Sequence, residues 1–101
     1  MATPNTPAVA PVRLLLVVAP GCGFCEHART VLSRVVADFP CALEELDLTT
    51  SDGRALADTV RLPFPPGLWV DGHFFGYGRI SERKLHTHLA DLLASPGGPR
   101  P

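Results

Sequence analysis

Val12-Arg13-Leu14-Leu15-Leu16-Val17-Val18-Ala19-Pro20-Gly21-Cys22-Gly23-Phe24-Cys25 is the stretch on which the fold turns. Val12 to Ala19 is apolar but for Arg13, and such continuous runs fit a strand buried on both faces. Pro20 and Gly21 stop it. From Cys22 onward the spacing changes. Phe24, Ala28, Val31, Leu32, Val35, Val36 and Phe39 fall on one continuous helical face, with Phe24 expected to start the buried stripe. Pro40 ends the helix.

Further along, Ala42 to Leu48 sets Leu43, Leu46 and Leu48 against Glu44, Glu45 and Asp47, the pattern of a half-buried strand. Thr50 or Ser51 can cap a short helix reaching about Val60. Leu62 to Pro66 is a proline-rich turn. Gly67 to Val70 and His73 to Phe75 flank Asp71-Gly72, a strong hairpin signal, because both central turn residues need positive φ. Ser81 can cap a last helix, with Ile80 and Leu85 at staple spacing. Leu85, Leu89, Leu92 and Leu93 then form its buried stripe. The order is βαβαββα. A right-handed crossover makes the first two strands parallel neighbours, and the hairpin adds two antiparallel strands. The expected fold is an α/β sandwich, a four-stranded mixed sheet with helices on both faces.

At 101 residues the chain is one domain. Its 46% apolar and 19% charged residues are a globular composition, not a disordered one. The folded part is expected over 12–94. Disordered tails are expected at 1–11, rich in Pro, Ala and Thr, and at 95–101. The net charge of -1, with no basic run, argues against nucleic acid or an anionic membrane as partner. Leu14 to Ala19 is far short of the about 20 apolar residues that span a bilayer. It is also a poor export signal, with Pro20 inside the would-be cleavage site. We therefore expect a monomer in the cytoplasm, with no membrane partner.

The three cysteines do not make a disulfide framework: two are three apart and one is left over. A Cys-x-x-Cys on a strand-to-helix turn is a redox signal. The thiolate is the attacking species, and a helix N-terminus offers unpaired N–H groups and about half a positive charge. Cys22 at the cap is expected to have its pKa lowered by both. Gly23 permits a tight turn with open access to the sulfur. At about 100° per residue, Cys25 falls at the edge of the apolar face and Cys22 outside it. Cys22 is thus the expected catalytic nucleophile and Cys25 the sheltered resolving thiol. Arg29 stands one turn after Cys25 and Glu26 one turn after Cys22, where they favour and oppose a thiolate respectively; neither is assigned a catalytic role.

A zinc site would draw on Cys22, Cys25, His27 and Cys41. Cys25 and His27 point about 200° apart on a helix, and Cys41 lies beyond its far end, about 24 Å from its start. Four ligands from one chain fail on that geometry. No metal ligand is assigned and no cofactor is expected. A soft-metal site on the two cysteines alone stays open.

On these residues, 12–94 resembles the thioredoxin superfamily, and glutaredoxin-like proteins in particular. The likeness rests on the strand before Cys22-Gly23-Phe24-Cys25, the proline-rich segment before the third strand, and Gly67-Leu68-Trp69-Val70-Asp71-Gly72 followed by Gly76-Tyr77-Gly78. The resemblance implies a thioredoxin-like fold. It implies that Pro66 faces the cysteines and that the Pro65–Pro66 bond is cis, proline being the residue for which cis costs little. A proline there offers no N–H, while the neighbouring backbone can pair with an extended substrate. Gly76-Tyr77-Gly78 stands where glutaredoxins carry a Gly-Gly pair beside bound glutathione. The implied substrate-binding residues are Gly23, Phe24, Pro65, Pro66, Gly76 and Tyr77.

The implied activity is a dithiol thiol–disulfide exchange on protein disulfides or mixed disulfides with a small thiol. Its reducing partner would be a glutathione-type thiol or a flavin-dependent reductase. Apolar residues replace the usual Lys before the first cysteine, and Phe64-Pro65 replaces the usual Thr-Val, so the donor stays open. Cys25 stands where monothiol, cluster-binding relatives carry Ser, which favours exchange over cluster carriage. A metal or iron–sulfur carrier on the same cysteines is the first alternative, and a redox-inert binding module on the same fold the second. Cys41, after Pro40, reads as a buried small hydrophobe. His86 and His88 face different ways on the last helix and make no metal pair. Trp69 reads as core. Tyr77 lines a substrate groove or caps the edge of the hairpin.

Overall fold

β1 (Val12–Val18) leads into α1 (Gly23–Asp38), followed by β2 (Cys41–Asp47), α2 (Ser51–Thr59), β3 (Gly67–Val70), β4 (His73–Tyr77) and α3 (Glu82–Ala94). These elements come from a computed structural model that describes residues 11–94. The expected tails, apart from Pro11, lie outside the described residues. The sheet order is β2-β1-β3-β4. β1 pairs in parallel with β2 and antiparallel with β3, which pairs antiparallel with β4. This is the expected four-stranded mixed sheet.

The apolar run of β1 places it between two strands and two layers. Val12, Leu14, Leu16 and Val18 pack with Leu68 and Val70 of β3 under Ala28, Val31, Leu32 and Val35 of α1 and Leu85 and Leu89 of α3. Side chains alternate along a strand, so Leu15 points the other way, where it lines a shallow groove with Leu56 of α2 and Trp69. Trp69 is buried as expected and meets Phe74 edge-on, with ring centroids 5.0 Å apart. Helices therefore cover both faces.

The hairpin turn has φ of 50° at Asp71 and 83° at Gly72, the positive pair that the dipeptide predicts. It is tied to the neighbouring strand β1: Asp71 N–H donates to the Arg13 carbonyl (2.8 Å) and Arg13 N–H to Asp71 Oδ1 (2.9 Å). Helix α3 starts as expected, with Lys84 N–H donating to Ser81 Oγ at 3.2 Å and Ile80 and Leu85 both buried.

Three expectations need correction. Phe24 does not begin the buried stripe: it is 44% exposed and lies against the ring of Phe64 rather than in the core, and the stripe begins at Cys25. Leu43 is not covered: it stands in register with buried Leu14 but is 42% exposed, because β2 is an edge strand. β4 runs two residues beyond Phe75, to Tyr77.

Thr50 caps α2 by accepting from Gly53 N–H at 3.0 Å, while its own hydroxyl donates to the Asp47 carbonyl at 2.7 Å. A Cβ at Gly53 would overlap that carbonyl. Gly53→Ala is therefore expected to lose about 1–3 kcal/mol through overpacking, despite the better helix propensity of alanine. A lower urea midpoint at unchanged m-value would report it.

Candidate active site

Cys22 is the N-cap of α1, in extended conformation. Gly21, at φ 69°, makes the sharp entry to it, a backbone region that glycine occupies at little cost. Cys22 and Cys25 are joined by a disulfide, with Cα atoms 5.2 Å apart. Cys22 Sγ also accepts from Cys25 N–H at 3.1 Å. The two sulfurs differ in access. Cys22 is half-buried, while Cys25 is 1% exposed and sits within the core cluster. Cys25 thus lies deeper than the edge position expected from the helical wheel.

The Pro65–Pro66 bond is cis. Pro66 is buried, and its carbonyl accepts from Gly78 N–H at 2.8 Å. That bond ties the proline turn to the segment after β4. The Pro65 carbonyl oxygen lies 3.6 Å from Cys22 Sγ. In the disulfide the sulfur has no proton to give; once reduced, its S–H is placed to donate there. The expected pairing of a substrate with the residue next to Pro66 finds only an acceptor, because Pro65 also lacks an N–H.

Charges near the pair are already engaged. Arg29 binds Glu45 at 2.9 Å and Glu26 at 3.0 Å, and its pKa is raised, chiefly by the hydrogen bond to Glu45. This guanidinium is committed to carboxylates, not to Cys22. His27 Nε2 donates to the Ile80 carbonyl at 3.3 Å, linking α1 to the approach to α3. Cys41 is only half-buried rather than fully buried. Burial pushes its thiol pKa up, and the charge of Asp71 adds to that. Among the described residues no three His, Cys, Asp or Glu side chains gather as a metal cluster. Among the same residues no helix is long and apolar enough to cross a membrane.

Gly23, Phe24, Pro65, Pro66, Gly76 and Tyr77 lie on three segments: the start of α1 and the cis-proline turn, which meet at Cys22, and the end of β4, which meets the proline turn through Gly67, Gly78 and Phe64. One further side chain joins them that the sequence reading left out. Phe64 is 48% exposed and meets two rings, Phe24, stacked with centroids 6.4 Å apart, and Tyr77, at 5.3 Å and edge-on. Its signal was a large aromatic between Pro63 and Pro65, in a turn that has no apolar stripe to join.

No protein-family model and no curated protein matches the chain. Solved structures do. A thioredoxin-like protein from Clostridium perfringens aligns at 15% identity over 92% of this chain and 79% of its own, with a TM-score of 0.69. A thioredoxin variant from Halobacterium salinarum aligns at 23% identity over 81% and 74%, TM-score 0.61. Glutaredoxin 1 from Francisella tularensis aligns at 15% over 76% and 93%, TM-score 0.53. The fold is thus thioredoxin-like. On it, the chain carries a disulfide-bonded Cys-x-x-Cys pair at the head of its first helix.

Proposed function

We propose that the protein is a glutaredoxin-like thiol–disulfide oxidoreductase that reduces protein or low-molecular-weight mixed disulfides through Cys22 and Cys25. The observation that carries this reading is the asymmetry of the pair: an accessible sulfur on a helix cap bonded to a buried one. With the pair reduced, the Cys25 N–H and the helix N-terminus favour the thiolate of Cys22. That thiolate attacks one sulfur of the substrate disulfide. A Cys22–substrate bond forms, the substrate S–S bond breaks, and the departing thiolate takes a proton from water. Cys25 then loses its proton to solvent and attacks Cys22 Sγ. The intramolecular disulfide closes and the second substrate thiolate leaves. Two electrons have passed to the substrate.

A thiol of the glutathione type or a flavin-dependent reductase returns them. Pro65 and Pro66 shape the approach to Cys22, and Gly23, Phe24, Gly76 and Tyr77 border it. We read the protein as a cytoplasmic monomer. An unpaired Cys41 beside a reversible pair suits a reducing compartment. Titration against a glutathione buffer, with free thiols counted by mass spectrometry, tests the reading. A reversible two-electron transition at Cys22 and Cys25 is the expected result. A pair that forms no disulfide at any poise would sink it.

A further inference from the structure

Phe24, Phe64 and Tyr77 are 44%, 48% and 43% exposed. Single exposed apolar residues are ordinary, but three in contact beside a reactive sulfur are a patch that needs a use. The patch is built, not incidental. The Phe64 ring seats directly on Gly78, whose φ is 71°, and a Cβ there would lie 3.0 Å from Phe64 Cε1. Phe24 stacks on the same ring at 6.4 Å and Tyr77 meets it edge-on at 5.3 Å. A surface fixed in advance binds without the entropic cost of ordering it.

The patch also begins at the reacting atoms. Phe24 lies between the two cysteines, and Phe64 precedes Pro65, whose carbonyl lies 3.6 Å from Cys22 Sγ. A substrate bonded to Cys22 and leading over the Pro65–Pro66 turn meets these rings, while the other side of Cys22 opens on a polar hollow lined by Gly21, Glu26 and Arg29. The backbone offers it little grip. Pro65 and Pro66 have no N–H, and the Pro66 carbonyl is taken by Gly78. Near Cys22 the cation Arg29 is held by Glu26 and Glu45, and the charges of Arg79 and Lys84 stand farther along, in a groove shared with Gly76 and Tyr77.

We infer that Phe24, Phe64 and Tyr77 form a specificity strip, selecting peptide disulfides whose half-cystine is flanked by an aromatic or large aliphatic residue. This rests on the oxidoreductase reading and names its substrate class. Grip that a backbone donor would give is transferred to ring contacts. Phe64 occupies the centre of the strip and contributes most.

The test is single-turnover reduction by the full-length, pre-reduced protein, followed by acid quench and mass spectrometry. Three substrates are compared: two disulfide-linked peptides matched in length and charge, one with Phe and one with Ser beside the half-cystine, and oxidised glutathione. The Phe peptide is expected to react about tenfold faster than the Ser peptide, equivalent to about 1.4 kcal/mol. Phe64→Ser is expected to cut that ratio to about twofold or less. Should Phe64→Ser lose its cooperative melt, Tyr77→Ser carries the comparison, and a ratio lowered about threefold supports the strip. Exchange on all three substrates with a peptide ratio near one in the wild type overturns the inference alone. So does an equal slowing of both peptides in the variants. Failure to exchange with any of the three removes the oxidoreductase reading and the inference with it.

Discussion

Cys25→Ser, reduced and mixed with a disulfide substrate, is expected to stop at a covalent complex on Cys22 that intact-mass measurement detects as a stable adduct. The buried serine hydroxyl cannot displace the substrate sulfur, so the first half of the exchange runs and the second does not. Cys22→Ser is expected to lose exchange by about three orders of magnitude or more, the scale on which removal of a nucleophile acts. Cys25, left without its partner in that variant, is 1% exposed. Cys41→Ser separates the roles: its thiol is held in the protonated form by burial and by Asp71, and its loss is expected to leave the rate unchanged. An adduct that forms equally well in Cys22→Ser would reverse the assignment of nucleophile and resolver.

Leu16→Ala is the substitution expected to damage the fold most. Leu16 is fully buried in the central strand, with Leu68 opposite it on β3. Truncation of a buried leucine costs about 2–5 kcal/mol, a large share of the about 5–15 kcal/mol that holds a domain together. Calorimetry should show the midpoint falling by about 10 °C or more. Leu43→Ala makes the contrast. The same chemical change on the exposed edge strand is expected to stay within about 0.5 kcal/mol. Equal losses at the two positions would contradict the layering described above.

These two leucines show what the sequence could tell and what it could not. Val12 to Ala19 declared a central strand because nothing in it but Arg13 tolerates water, and the helical stripe from Ala28 to Val35 could be satisfied only by lying on that strand. The hairpin was legible because Asp71-Gly72 answers a backbone requirement that few dipeptides meet. The cap at Cys22 followed from the stop at Pro20-Gly21, and the shelter of Cys25, though not its full depth, from the helix phase. Leu43 and Phe24 misled for a shared reason. Periodicity tells which side of an element is apolar, but not whether a neighbour extends far enough to cover it. Leu43 lies on an edge strand, and Phe24 lies against a ring, Phe64, that is itself half exposed. Phe64 was illegible for a different reason. It belongs to no periodic element, and its meaning depends on Phe24 and Tyr77, far from it in sequence, arriving against it.

The edge position of β2 has a consequence for how the molecule behaves in company. An open strand edge is a template on which a second chain can add, the first step of aggregation. Here the seven residues of that edge include Glu44, Glu45 and Asp47. Two copies meeting antiparallel about Glu44 would set carboxylate against carboxylate, and like charges directly opposite are unfavourable. Arg29, by holding Glu45 from the helix side, keeps one of these acids in place without cancelling Glu44. The strand that left Leu43 in water thus carries its own deterrent, and a Glu44→Val variant would be expected to shorten the shelf life of concentrated solutions before it altered anything at Cys22.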